Sequence, residues 1–366
     1  MRYKLVLFLI IGSIAFINGC AAWVVRPPLY ASSATDGSVP PFFALPSDIP
    51  PVTFPDCNNT EKKRECAFSF SSWKTSGFSG NDTVKVVLHF PNIKRDDIKA
   101  CIILMPPSGE NIPAEIIAKK LVSLGFPVAR VKAGFNPLPK SVLGEAAEKQ
   151  NARDAISFGG TFFKEAMRQR VGDSMRLINA LKLQFPDHHF SAAGISLGGM
   201  VASALAVADP RVQSLFMGIS SASVARVIMD STVEDVAPLR ELLLDKFNLS
   251  YEEAYQMLAE EIREVEPLTY ASRLNAKKIL MVSGLFDMLG IPIDSAIPLS
   301  ATQETWRGFG KPEWVIINTG HVTAGAMFFP IPWPELSHPY HIAALLPLPS
   351  YMHHLLLAHY LPKIAR

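Results

Sequence analysis

The chain has 366 residues, is 49% hydrophobic, and sets 35 Lys and Arg against 33 Asp and Glu for a formal charge of +2. That size and apolar share suffice for one large domain or two small ones. The near balance of charge, with no long run of one sign, excludes a dedicated nucleic-acid surface, and no block apart from a Pro-rich segment near the start is polar enough to be disordered.

Met1 to Cys20 reads as a targeting segment rather than as part of a fold. Arg2 and Lys4 give a positive start, and Leu5 to Phe16 form an apolar run too short to span a bilayer comfortably. Ile17-Asn18-Gly19-Cys20 then resembles a bacterial lipobox. The resemblance implies cleavage after residue 19, diacylation of Cys20, and a membrane-anchored lipoprotein of the periplasm or outer membrane. Ala21, where an Asp would mark inner-membrane retention, leans toward the outer membrane in a Gram-negative cell. An ordinary secretory signal cut after Gly19 or Ala22, giving a soluble exported protein, is the alternative. Residues 20–56, with Pro27-Pro28, Pro40-Pro41 and Pro50-Pro51, read as a semi-extended tether, on which Phe42-Phe43 are candidates to dock. A single domain is expected over 57–366. Cys57 and Cys66 close a short loop, and in an exported chain they are expected to form a disulfide. Cys101, inside an apolar strand, is expected to be a buried free thiol.

From Cys66 onward strands and helices alternate. Strands are expected at 67–70, 84–90, 101–105 and 127–131, with a helix over 113–124 that Gly125 stops. An irregular section with helical pieces leads to a helix over 171–181. A buried strand from His189 to Ala193, the stretch Gly194-Ile195-Ser196-Leu197-Gly198-Gly199, and a small-residue helix to Ala208 follow. Further strands are expected at 212–219, 278–284 and 314–318, and a closing helix at 350–361. The alternation predicts an α/β fold with a mostly parallel sheet covered by helices on both faces. Residues 223–272 interrupt it with charged helices over 236–247 and 251–264, a candidate lid.

G-x-S-x-G between a strand and a helix places a serine on a tight turn with its hydroxyl exposed. A serine hydroxyl needs a base to take its proton, and the base needs a carboxylate to orient it. Gly284-Leu285-Phe286-Asp287 follows one later apolar strand, and Gly320-His321 follows another, so an acid and a base appear at two strand ends. Asp294, as the start of a helix, is the rival acid. His188, His189, His338, His341, His353, His354 and His359 are the rival bases, of which His188 and His189 fall at the wrong end of their strand.

On these residues the stretch from about Val86 to Leu361 resembles an α/β-hydrolase of the esterase or lipase type. The resemblance implies that Ser196 is the nucleophile, Asp287 the triad acid and His321 the general base. It also implies an oxyanion hole made by the Leu197 N–H and by an N–H of the loop after the third core strand. In that loop Pro106-Pro107-Ser108-Gly109 stands where the family commonly has a His-Gly pair. Proline has no N–H, so Ser108 is the expected donor and Gly109 the next choice. No C-x-x-C pair, H-E-x-x-H or histidine cluster is present, so no metal and no cofactor is expected. The implied activity is hydrolysis of a small or lipid-like carboxylic ester through an acyl-enzyme. Acyl transfer by the same triad, and a surface lipoprotein that binds without catalysis, are the alternatives. The sequence leaves the acyl group and the oligomeric state open.

Overall fold

The structure is a computed structural model, and it describes residues 39–53, 65–73, 83–91, 100–107, 112–132, 139–232, 237–284 and 296–317. All of these belong to the unit Ser32–Arg366. In chain order the elements are β1 (Glu65–Ser71), β2 (Thr83–His89), β3 (Ala100–Met105), α1 (Ile112–Ser123), β4 (Val128–Val131), α2 (Lys140–Ala147), α3 (Ala152–Gln184), β5 (His189–Ile195) and α4 (Leu197–Ala208). They continue with β6 (Val212–Gly218), α5 (Val224–Asp230), α6 (Ala237–Glu241), α7 (Tyr251–Glu261), β7 (Ile279–Gly284), α8 (Leu299–Gly308) and β8 (Glu313–Ile317).

The strands form one sheet in the order β1-β2-β4-β3-β5-β6-β7-β8. β1 with β2 and β2 with β4 pair antiparallel, and every pair from β4 to β8 is parallel. Parallel strands β3 to β7 are largely buried on both faces, so their side chains alternate between two cores rather than between core and water, whereas β8 at the edge is partly exposed. Ile102 and Leu104 of β3, with Ala193, Phe216 and Leu280, pack on Ile117 and Leu121 of α1. Met105 faces the other way, toward Leu177 of α3 and Val201 of α4. Leu197–Ala208 is rich in Gly and Ala, which lets α4 lie close against β5 and β6 with α3 behind it.

α3 differs from its expectation. Residues 152–184 form one continuous helix of 33 residues, where helical pieces and a helix over 171–181 were expected. Its N-terminus is set by Asn151, whose side chain accepts from the Asp154 N–H at 2.9 Å. At about 1.5 Å per residue the helix is roughly 50 Å long, against roughly 23 Å for a seven-residue strand. The Ser174 hydroxyl lies 3.9 Å from the Met105 sulfur at the C-terminal end of β3, so the residues before 174 overrun that edge of the sheet. There α3 meets α2 and α7. Gly160, inside this helix, is a crossing point: a Cβ there would collide with the Glu261 side chain, which pairs with Lys164 at 2.7 Å.

The insertion between β6 and β7 is helical, with α5, α6, a π turn over Leu242–Lys246 and α7. α7 opens with a capping box from Ser250 and Glu253. Arg226 of α5 binds the insertion to α8. Its Nε donates to Glu304 at 3.2 Å, its guanidinium lies 3.8 Å over the Tyr255 ring, and it donates to the Tyr251 hydroxyl at 2.9 Å.

Where it is described, the Pro-rich N-terminal stretch is packed rather than free. Pro41–Phe43 make a 3-10 turn against α3, Phe43 is 1% exposed, and its ring meets the edge of Tyr270. Arg168 lies between the Phe42 and Trp73 rings, and Arg176 donates to the Pro50 carbonyl at 2.9 Å and to that of Ser71 at 2.7 Å. Between these two arginines, Asp173 accepts from the Ser72 hydroxyl at 2.7 Å and from the Trp73 N–H at 3.0 Å. Cys101 is a free, fully buried thiol whose ionisation burial pushes well up. Cys66 is buried. Cys57, its expected partner, lies outside the described residues, as do Cys20 and residues 350–361.

Burial pushes the Asp173 carboxyl up to about 6, against the lowering by Ser72, Trp73, Arg170 and Arg176. The folded chain therefore holds this proton more tightly than the unfolded one. The contribution to stability is full below about pH 4 and is lost as pH rises through about 6. Asp173→Asn is expected to remove this component. The melting temperature of the wild type minus that of the variant should fall between pH 4 and pH 7, and a difference independent of pH would contradict the assignment.

Candidate active site

The turn from β5 into α4 carries Ser196. Its backbone sits at φ 54° and ψ −129°, a left-handed conformation that a side chain makes costly. Such a conformation persists only where neighbours over-determine it, and here each neighbour is identifiable. The Ser196 N–H donates to the Gly218 carbonyl at the end of β6 at 2.9 Å. The Ser196 carbonyl accepts from the Gly199 N–H at 2.9 Å and from the buried Ser220 hydroxyl at 2.6 Å. Ser196 and Leu197 are half-buried, at the C-terminal edge of the sheet and at the start of α4.

The glycines answer to contacts rather than to their own dihedral angles. A Cβ on Gly194 would overlap the Gly198 carbonyl, and one on Gly198 would overlap the carbonyls of Met105 and Pro106. One on Gly199 would come within 2.5 Å of the Ser220 Cβ. The elbow is thus pressed against the end of β3 on one side and the end of β6 on the other.

The end of β6 is itself strained. Ile219 is β-branched yet sits at φ 44°, held by its N–H bond to the Val282 carbonyl at 2.6 Å. Ser220 to Val224 follow as a buried polar turn. The Thr305 hydroxyl of α8 accepts from the Ala222 N–H at 2.9 Å and from the Ser223 N–H at 3.2 Å. Glu266 accepts from the Val224 N–H at 2.8 Å. Glu266 is fully buried, and burial holds its carboxyl well above the ordinary range. Sequence reading missed Ile219, Ser220 and Glu266. The run Ser220-Ser221-Ala222-Ser223, directly after an apolar strand, was the available signal.

Of the expected site residues the structure brings Ser196 and Leu197 to the elbow. Ser108, Gly109, Asp287 and His321 lie outside the described residues. β7 and β8 stop at Gly284 and Ile317, and both run parallel to β5, so their C-terminal ends are on the same edge as Ser196. His189 opens β5 at the opposite end. Among the described residues no three His, Cys, Asp or Glu side chains group as metal ligands.

No family model matches the chain, and no curated protein matches it in sequence. Its structure is similar to that of an acylaminoacyl peptidase from Pyrococcus horikoshii, at a TM-score of 0.50 and 13% identity over 84% of this chain and 43% of the peptidase. It is also similar to an acylaminoacyl peptidase in complex with Z-Gly-Gly-Phe-chloromethyl ketone, at 0.51 and 16% identity over 82% and 42%. A cold-adapted esterase from an Arctic intertidal metagenomic library scores 0.42 at 12% identity over 69% and 82%. The fold is that of the α/β hydrolases. The chain spans less than half the length of the two peptidases, and the likeness to them establishes the fold alone. Within the α/β-hydrolase fold, the sheet order, the parallel strands from β4 to β8 and the strained serine after β5 form one consistent frame.

Two glycine variants separate crowding from helix propensity. Gly198→Ala forces a side chain into the backbone of Pro106 and is expected to cost about 1–3 kcal/mol. Gly144→Ala, inside α2 with open space around it, is expected to gain about 0.5–1 kcal/mol. Urea denaturation of both checks the pair, and equal effects would refute the contact argument.

Proposed function

We propose that the chain is a serine hydrolase that cleaves carboxylic esters through an acyl-enzyme. The observation that carries this reading is Ser196 itself, a half-exposed serine held in left-handed strain at the C-terminal edge of the sheet and the start of a helix. Strain of this kind is retained at functional sites. Asp287 and His321 follow Gly284 and Ile317 by three and four residues, close enough for the loops after β7 and β8 to carry them back toward β5. That spacing supports a Ser196-His321-Asp287 triad.

In this mechanism the Ser196 Oγ bonds to the ester carbon while His321 takes the hydroxyl proton, and the carbonyl electron pair moves onto oxygen. The Leu197 N–H and an N–H of Ser108 or Gly109 stabilise that oxyanion. As the carbonyl reforms, the bond to the leaving alkoxide breaks and His321 returns the proton to it. Water then repeats the sequence on the acyl-serine and releases the acid. Esters are favoured over amides because an alcohol leaves with less help from the acid than an amine.

We further propose that the domain works outside the cytoplasm, with residues 1–19 removed, Cys20 lipidated and Cys57 bridged to Cys66. An apolar acyl pair on Cys20 anchors stably because each buried methylene contributes about 0.8 kcal/mol.

A fluorophosphonate probe should label the purified chain, and Ser196→Ala should abolish both labelling and hydrolysis of short p-nitrophenyl esters. Asp287→Asn and His321→Ala should each lower kcat by at least about 1,000-fold. Labelling of Ser196→Ala at the wild-type rate would refute the nucleophile, and faster turnover of a peptide anilide than of the ester would refute the substrate class.

A further inference from the structure

The Ser196 carbonyl and the Leu197 N–H are two ends of one peptide plane. A trans peptide is rigid and points these two groups in opposite directions, so a partner that fixes the carbonyl also fixes where the N–H points. As the first residue of α4, Leu197 has no acceptor for its N–H within the helix. The direction of that N–H therefore depends on what holds the carbonyl behind it.

We propose that Ser220 is a positioning residue that aims the Leu197 N–H at the oxyanion. The Ser220 hydroxyl, from outside α4, donates to the Ser196 carbonyl at 2.6 Å. The Gly199 and Met200 N–H groups reach it at 2.9 and 3.4 Å as the ordinary first turn of the helix. Donation to the carbonyl also polarises the amide, which makes its N–H a stronger donor.

The surroundings are built for this bond. Ser220 is buried, so water does not compete for its hydroxyl. Its Cβ approaches α4 only because Gly199 has none, and the approach requires Ile219 to turn at φ 44° directly after β6. The Ile219 N–H is fastened to Val282 of β7, the Ala222 and Ser223 N–H groups to Thr305, and that of Val224 to Glu266. The strained turn after β6 thus lies next to the strained turn after β5 and supplies a side-chain hydroxyl to its backbone.

The proposal rests on Ser196 as nucleophile and Leu197 as oxyanion donor, so its test must separate the two. In the full chain, Ser220→Ala removes the donor, and Ser220→Cys keeps the volume beside Gly199 with a weak donor in its place. Both should lower kcat on a p-nitrophenyl ester, and the rate of fluorophosphonate labelling, by about 5- to 30-fold. That is less than the roughly 100- to 1,000-fold for deleting an oxyanion donor outright. Affinity for a trifluoromethyl ketone, which adds to the serine and leaves an oxyanion, should fall by the same factor, while KM stays within about twofold. An unchanged kcat, a fall in kcat without loss of ketone affinity, or a parallel rise in KM would each overturn the positioning role. Failure of both variants to fold would overturn it as well, because the hydroxyl would then carry the fold. Ser196→Ala stands apart: if it is still labelled, the nucleophile reading fails whatever Ser220 does.

Discussion

The position of Ser196 is decided by a backbone that is held at both of its polar groups. Gly218 takes its N–H and Ser220 supplies its carbonyl with a hydrogen bond, both from the end of β6. Left-handed strain of about 1–3 kcal/mol does not survive unless the surroundings cost more to rearrange. Here rearrangement would separate β5 from β6, which share a parallel ladder from Phe190 to Ile195. Gly194, Gly198 and Gly199 then follow as necessities, because the same pinning brings α4 into contact with the ends of β3 and β6.

A second consequence concerns what stands above the elbow. An open α/β sheet binds ligands beyond the carboxyl ends of its strands, and two segments rise there. One is the first half of α3, which overruns β3 beyond Ser174. The other is the insertion from α5 to α7. They are fastened to each other at Gly160, where Glu261 and Lys164 meet. The N-terminal stretch fastens to the same helix through Arg168 and Arg176, and the chain just after β1 fastens to it through Asp173. A helix that overhangs its sheet lacks core contacts along its outer half, and these attachments supply them.

How much of this was readable in the sequence depends on whether the signal was local. The apolar runs of β3, β5, β6 and β7 are buried on both faces and show as continuous hydrophobic stretches, so the parallel sheet and the elbow were legible. The end of β7 before Asp287 was legible for the same reason, and β8 before His321 by its short β-branched run. The continuity of α3 was not. Gly159-Gly160 carries a poor helix propensity, and the reason for it is Glu261, about 100 positions away. Ile219 gave no sign either, since a β-branched residue at positive φ contradicts its own preference and is held by Val282 of a strand not yet formed at that point in the chain. Ser220 is an ordinary serine until β5 and β6 lie side by side.

The insertion also bears on how a substrate enters. A lid that swings as a unit exposes whatever holds it closed, and the cost of that exposure sets how often it opens. Arg226, Glu304 and Tyr255 form a joint in which a guanidinium and a carboxylate are each about one-eighth exposed and stacked on or bonded to a phenol. Parting α5 and α7 from α8 would leave both charges short of partners in a poorly hydrated place, which is among the more costly rearrangements a surface element can make. Beneath this joint, Thr305 and Glu266 hold the N–H groups at the start of α5, close behind Ser220. Movement of α5 would therefore be transmitted to the hydroxyl that braces the elbow. The joint ties the described part of the insertion to α8, and Thr305 and Glu266 tie its start to the turn that carries Ser220, whose hydroxyl bonds to the Ser196 carbonyl.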